Sequence, residues 1–293
     1  MNENTEVSGN GFIAALAALA GLLSIIVVPN LGMQVANMVT FRANMVMEML
    51  SRPELIAAPK LVTFWYPFWS GLSVVAGVVL LLAVLPLAKG EKWARSMALG
   101  ALFIPAIFGV YAFWPLTFFP RVMFGQFAFG NLGASAKALI GLPAIIFAVG
   151  VIPFFIILLT NKLSLRNKVA QFFAFFLLIF TTAIGFMNGH TALRLLWSNL
   201  IDNSQLIDKA LAVGTVVNWI AVFLIIASIP LLSIGRAKGR WLSLVGILSL
   251  TVGNITLMVG QPAIWDYRIG TILALITLIL FLLPSVRKAL NAN

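Results

Sequence analysis

Long apolar stretches alternate with short polar segments along the whole chain. Eight of these stretches are long enough to span a bilayer: 12–29, 64–88, 97–118, 138–160, 169–187, 210–233, 241–261 and 268–285. A helix that rises about 1.5 Å per residue needs roughly 18 or more such residues to cross the hydrocarbon layer. The pattern therefore predicts an all-α integral membrane protein with about eight transmembrane helices.

Composition supports the same class. Hydrophobic residues make up 61% of the chain and charged residues only 9%, against about 25% charged residues in soluble domains. The mean hydropathy is +1.06. The first apolar stretch follows Glu3 and Glu6 rather than a basic region, so the sequence predicts a retained first helix and not a cleaved signal.

The polar connections are of two kinds. The short ones are basic and contain a single acid, Glu91; their cations are Lys89, Lys92, Arg95, Lys162, Arg166, Lys168, Arg236, Lys238, Arg240, Arg287 and Lys288. The other connections are mixed and hold the remaining acids. By the positive-inside rule the basic connections face the cytoplasm. We expect a multi-pass protein of the cell (cytoplasmic) membrane, with its N-terminus outside and its C-terminus in the cytoplasm.

Two segments half a chain apart resemble each other. Residues 37–56 read "NMVTFRANMVMEMLSRPELI" and residues 188–207 read "NGHTALRLLWSNLIDNSQLI". Further parallels follow in order: Pro-Leu at 86 and 230, then "KGEKW" and "KGRW", then a proline sixteen residues after Lys137 and after Arg268. The sequence predicts two parallel four-helix repeats, residues 1–160 and 161–293, related by an axis along the membrane normal.

Residues 36–50 and 190–207 have apolar side chains at helical spacing, which predicts short amphipathic helices on the outer surface. The repeat would bring Arg42 and Arg194 to equivalent places there. Lys137 and Arg268 begin the last span of each half. Four cations near one interface suggest a site for a lipid headgroup or another anionic group. The alternative is that each cation anchors its helix at the interface.

Polar side chains inside the spans are few. No Asp, Glu, Lys, Arg or His lies near the centre of a span, which disfavours a proton-coupled mechanism. Asn218 and Asn254 lie on adjacent spans, and we expect them to hydrogen-bond between helices.

The side chains of common catalytic and metal sites are scarce. There is no cysteine and one histidine, which excludes cysteine- or histidine-rich metal sites. Ser135 and His190 resemble the Ser–His dyad of rhomboid intramembrane proteases. However, Ala136 replaces the glycine that follows their serine, and "TALRLLW" replaces the small residues after their histidine. The sequence therefore predicts a protein without catalytic residues, and the scattered cations do not indicate a nucleic-acid partner.

The leading hypothesis is a non-catalytic subunit or ligand-holding component of a membrane complex. It would bind lipid, quinone or a partner subunit at its outer face, and "TFWYPFW" (63–69) and "QFFAFFLLIF" (171–180) offer rings that pack on a planar cofactor, on a helix or on lipid. One alternative is a transporter or channel for a small organic anion or anionic lipid. A second is a quinone-interacting anchor of a redox complex.

Overall fold

The computed structural model is helical throughout the residues it describes, which are 3–50, 57–124, 134–160, 163–198, 206–262 and 264–291. Side chains are described for residues 10–41, 60–113, 141–160, 163–197, 209–262 and 264–291. The helices are α1 (Glu3–Leu50), α2 (Ala57–Ala88), α3 (Lys92–Phe124), α4 (Ala134–Leu159), α5 (Leu165–Ser198), α6 (Leu206–Ser233), α7 (Ala237–Gly260), α8 (Trp265–Leu282) and α9 (Pro284–Leu290).

Eight of these described helices, α1 to α8, are long and apolar enough to cross a membrane. This confirms the predicted class, an all-α polytopic membrane protein. The eighth span lies three residues earlier than predicted, because α8 runs from Trp265 to Leu282 and Pro284 begins the separate helix α9. Proline is favoured in the first turn of a helix, where its missing N–H is not needed.

The helices pack in two neighbouring groups. In the first half (α1–α4), α1 and α3 each pack against α2 and α4; in the second half (α5–α9), α5 and α7 each pack against α6 and α8. Helices α3, α5 and α6 join the halves. Every residue from 181 to 189 of α5 is buried, so α5 is the central helix. The two-repeat division itself stays a prediction.

The predicted outer segments are helical, but they are not separate surface helices. Residues 36–50 form the end of α1, and residues 190–198 form the end of α5. Both helices therefore continue beyond the apolar stretches that predicted them. Pro29 and Gly32 in α1 and Gly189 in α5 lie where the predicted stretches end, but neither helix ends there.

The expectation that the N-terminus and the C-terminus lie on opposite faces of the membrane is wrong. An even number of crossings returns the chain to the face from which it started. The side chain of Asn10, near the start of α1, lies beside Gly90 in the basic α2–α3 turn: a Cβ on Gly90 would come within 2.8 Å of Asn10 Nδ2. At the other end of the chain, Gln171 Nε2 of α5 donates to Ala289 O of α9 at 2.9 Å. The start of α1 and α9 thus lie on the same face as the basic turns.

The α2–α3 and α6–α7 turns have the same backbone geometry. Gly90 and Gly235 have φ of 76° and 69°, a conformation that glycine adopts without the cost of a Cβ. Each glycine N–H bonds the carbonyl three residues back, at 2.9 and 3.0 Å, and the next N–H bonds the carbonyl five residues back at 3.0 Å. This is the Schellman motif.

These turns correct one parallel that the sequence suggested. "KGEKW" and "KGRW" are not equivalent, because Gly90 lies in a turn while Gly239 lies within α7 against the backbone of Leu231 and Leu232. The backbone instead pairs Gly90 with Gly235, and hence Arg95 with Arg240.

Candidate ligand site

Aromatic side chains from three helices meet in the half of the bundle remote from the basic turns. We call Tyr66 and Trp69 of α2, Tyr111 of α3, and Phe186 and His190 of α5 the aromatic cluster. Tyr111 is central: its ring centroid lies 5.3 Å from Tyr66, 5.3 Å from Phe186 and 5.9 Å from His190. Trp69 contacts Phe186 edge-on at 4.9 Å. Such edge-on pairs are favourable beyond simple burial.

Helical spacing explains why α2 contributes two of these rings. Tyr66 and Trp69 are three residues apart, so they share one face of the helix, and both are fully buried. Phe64, on another face, is 59% exposed. The stretch "TFWYPFW" therefore divides into rings that face the bundle and rings on its outer surface.

The Tyr111 hydroxyl lies 2.7 Å from His190 Nδ1, a hydrogen bond whose donor depends on the histidine tautomer. Tyr111 is 1% exposed, whereas His190 is only partly buried. The histidine therefore lies at the edge of the cluster and the tyrosine in its interior. Because this bond occupies His190 Nδ1, the ring is held by Tyr111. The side chain of Ser135, the other residue of the rhomboid-like pair, lies outside the described residues.

Three donors in and beside the cluster have no hydrogen-bond partner within the described structure: Tyr66 Oη, Trp69 Nε1 and the adjacent Trp65 Nε1. By contrast, the nearby indole N–H of Trp219 donates to Phe186 O at 3.3 Å. A buried donor left unpaired costs about 1–3 kcal/mol. The cluster could therefore accept a ligand that brings its own hydrogen-bond acceptors.

A second polar group, the amide cluster, lies in the second half and consists of Asn188, Asn218 and Asn254. Asn254 Oδ1 accepts from Asn188 Nδ2 at 2.9 Å and from Asn218 Nδ2 at 3.0 Å. Asn188 Nδ2 also lies 3.1 Å from Asp266 O. These bonds join α5, α6, α7 and α8. The pair named from the sequence, Asn218 and Asn254, is thus brought into contact.

Only part of the predicted basic group can be located. Arg268 is exposed; its Nη2 donates to Pro262 O at 2.8 Å, and its guanidinium lies 5.3 Å from the Trp265 ring centre. Arg194 is half-buried on α5, where its charge acts on Tyr267 together with that of Asp266. The side chains of Arg42 and Lys137 lie outside the described residues.

An apolar groove opens between α4 and α5, with α3 as its floor, in the half remote from the basic turns. It encloses about 350 Å³ and is lined by Gly109, Val110, Phe113, Pro143, Ala144, Phe147, Phe180 and Ile184. Helices α4 and α5 make few contacts with each other, which leaves the groove accessible from the side. Its size and lining suit a hydrocarbon chain.

Sequence reasoning missed Asn188, Arg95 and the burial of Tyr66 and Trp69. Asn188 was placed just beyond the fifth span, although α5 continues to Ser198. The i, i+3 spacing of Tyr66 and Trp69 was a usable signal for a shared buried face. Within the described residues, no group of three or more His, Asp or Glu side chains is placed to hold a metal ion.

Comparisons with protein-family models, with curated proteins and with solved structures find no match to this chain. The functional argument therefore depends on the geometry of the aromatic cluster and the groove.

Proposed function

We propose that this protein is a non-catalytic component of a membrane complex, and that it holds a carbonyl-bearing hydrophobic ligand, a lipid or a quinone, in the outer half of the bundle. The observation that carries the proposal is the pair of unpartnered donors in the aromatic cluster, Tyr66 Oη and Trp69 Nε1. A quinone or ester carbonyl has the acceptor oxygen that these donors lack.

The surrounding side chains suit the same ligand. Aromatic rings pack well against a planar headgroup. The groove shares helices α3 and α5 with the cluster, and it could receive an apolar tail in the same half of the bundle, where its lining includes Phe113 and Phe147. In hydrocarbon, where water is absent, each hydrogen bond to a ligand carbonyl has few competitors.

The proposal includes orientation. We infer that the basic turns face the cytoplasm, because Lys and Arg concentrate in cytoplasmic connections, and that the protein lies in the cell (cytoplasmic) membrane. A cysteine placed at Lys209, which is exposed at the start of α6, should then react with an impermeant reagent added outside. A cysteine at Lys238, exposed at the start of α7, should not react. The reverse labelling pattern would contradict this orientation.

Ligand retention tests the function. We would purify the protein gently from its native membrane, extract what remains bound, and identify it by mass spectrometry and by the ultraviolet absorbance that distinguishes a quinone from a lipid. The double variant Tyr66→Phe, Trp69→Phe removes both donors and keeps aromatic rings, and it should lose the ligand. The control Tyr267→Phe removes another buried hydroxyl without a described partner, and it should retain the ligand.

Equal retention in the double variant and the wild type would overturn the role of the two donors. Absence of any stoichiometric ligand or co-purifying subunit in the wild type would overturn the proposal as a whole.

The lateral groove also favours a second candidate, a transporter for an anionic lipid or a small organic anion. A cleft between α4 and α5 gives a lipid a route from the bilayer to the interior of the bundle. Reconstituted vesicles would test it: protein-dependent movement of labelled anionic lipid that stops in Ala144→Trp, which fills the groove, would support transport. Lipid movement at the protein-free rate would exclude it.

A further inference from the structure

The two Schellman turns place one arginine at the same position in each half. Arg95 follows Gly90 by five residues, and Arg240 follows Gly235 by five residues. Each arginine therefore lies in the first turns of a helix that begins at the basic face. Their surroundings differ, and the difference indicates a binding site.

Arg95 is bound within the protein. Its Nη2 donates to Ile157 O and to Thr160 Oγ1, the latter at 3.1 Å, and lies 3.5 Å from Leu158 O. These groups form the C-terminal end of α4. The carbonyls at a helix C-terminus lack intrahelical partners and carry partial negative charge, so they suit a guanidinium.

Arg240 has no such acceptor among the described residues. It is 8% exposed, and its buried Nη1 has no hydrogen-bond partner in the part of the chain that is described. Helix α8, which corresponds to α4, ends differently: Leu283 is extended, its N–H bonds Leu280 O at 3.2 Å, and α9 follows at once. The end of α8 therefore does not supply Arg240 with the acceptors that α4 gives Arg95.

A guanidinium does not release its proton, so acceptors such as those around Arg95, or an anionic partner, are needed to offset the cost of burying it. Two acidic side chains are described. Glu91 accepts a hydrogen bond from the Trp93 indole, and Asp266 lies at the opposite face, at the start of α8. The described chain thus offers Arg240 no counter-ion.

Other positive groups adjoin Arg240. Helical side chains slope toward the N-terminus of their helix, which directs Arg240 back over the first turn of α7. Exposed Arg236 and Lys238 lie in that turn. Arg236 is the N-cap residue and makes no side-chain capping bond. The first N–H groups of a helix are available to an anion.

We propose that Arg240, Arg236 and the first turn of α7 bind a phosphate group at the basic face. The same chemistry has two sources, the headgroup of an anionic phospholipid in the adjoining leaflet and free inorganic phosphate. The site lies at the opposite end of the bundle from the aromatic cluster and does not depend on the proposed function.

The test uses the full chain in nanodiscs that contain phosphatidylglycerol and phosphatidylcholine, with native mass spectrometry to count the phosphatidylglycerol molecules that remain bound. Arg240→Gln should retain one fewer phosphatidylglycerol molecule than the wild type. Its affinity for that lipid should fall by a factor of at least about ten, because charged hydrogen bonds are lost. Arg287→Gln removes an exposed cation from α9 on the same face and should behave like the wild type.

A second arm separates the two sources. In maltoside detergent, which contains no phosphate, added inorganic phosphate should raise the Tm of the wild type but not of Arg240→Gln if free phosphate occupies the site. If only phosphatidylglycerol raises the Tm, the ligand is the lipid headgroup. If neither raises the Tm of the wild type above that of Arg240→Gln, the phosphate site is excluded.

Stability without phosphate provides the remaining control. In a phosphate-free maltoside detergent, Arg95→Gln should lower the Tm, whereas Arg240→Gln should not, because the described chain gives Arg240 no partner to lose. A drop in Arg240→Gln as large as that in Arg95→Gln would show an internal partner and overturn the proposal. The double variant Glu3→Gln, Glu6→Gln removes two acids at the start of α1, on this face, and should keep its phosphatidylglycerol. A loss of phosphatidylglycerol equal to that in Arg240→Gln would also overturn the proposal.

Discussion

The two halves of the bundle place different chemistry in their interiors. In α1–α4 the buried side chains around Tyr111 are aromatic, and Trp69 and Phe108 stack at 6.4 Å. In α5–α8 the amide cluster occupies the interior, and Asn254 Oδ1 accepts two hydrogen bonds. A hydrophobic core extends through both halves. Ring contacts add to it around Tyr111, and amide hydrogen bonds add to it between the helices of the second half.

The comparison also distinguishes a candidate ligand site from a set of side chains that links helices. Both clusters contain buried groups without partners in the described structure: the acceptors Asn188 Oδ1 and Asn218 Oδ1 in one, and the donors Tyr66 Oη and Trp69 Nε1 in the other. The amide cluster differs because its side chains also bond to one another across helices. A polar group that pairs with neighbouring helices contributes to packing. A buried donor without such a partner is the better candidate for contact with a ligand.

The largest expected change in stability is at the aromatic cluster. Trp69→Ala removes a fully buried ring that contacts α3 and α5, and should lower the free energy of unfolding by about 3–5 kcal/mol. Unfolding in mixed detergent micelles would measure it. The control Trp241→Ala removes a tryptophan that is 62% exposed; an equal loss there would contradict the packing role assigned to Trp69.

A smaller change in stability is expected at the amide cluster. Asn254→Leu removes the acceptor shared by Asn188 and Asn218, which should cost about 1–3 kcal/mol. Thr256→Val, on the same helix, removes only a bond to Val252 O and should change stability much less. If both variants unfold alike, the amide cluster does not hold the second half together.

The equivalence of the two turns can be tested next. Gly90→Ala and Gly235→Ala each force a Cβ into a positive φ, at a cost of about 1–2 kcal/mol. Gly90→Ala should lower stability more than Gly235→Ala, because its Cβ would also approach Asn10. The Tm of both variants should fall below that of Gly71→Ala, where a Cβ meets nothing within 4 Å. If either substitution leaves the Tm unchanged, the two turns are not structurally equivalent.

The smallest effect distinguishes a ligand contact from a structural one. In ligand-free detergent, Tyr66→Phe removes a hydroxyl without a described partner, so the free energy of unfolding should change by less than about 0.5 kcal/mol or rise slightly. A clear destabilisation would show that the hydroxyl already has a partner in the folded chain.

The fold was largely predictable because spans depend on long apolar runs, which a sequence displays directly. The positions of Arg95 and Arg240 were harder to predict: both were counted only as basic-face charges, and their different surroundings depend on how α4 and α8 end. Opposite faces for the two termini are incompatible with eight crossings, because an even number of crossings returns the chain to its starting face. The aromatic cluster was not predicted, since burial of Tyr66 and Trp69 depends on which face α2 turns to α3 and α5.

Electron cryo-microscopy of the protein purified from its native membrane would test the central claim most directly. The account predicts non-protein density beside the aromatic cluster, with an acceptor atom within hydrogen-bond distance of Tyr66 Oη or Trp69 Nε1. A map in which both donors bond to protein atoms or water, with no further density between α2, α3 and α5, would contradict it.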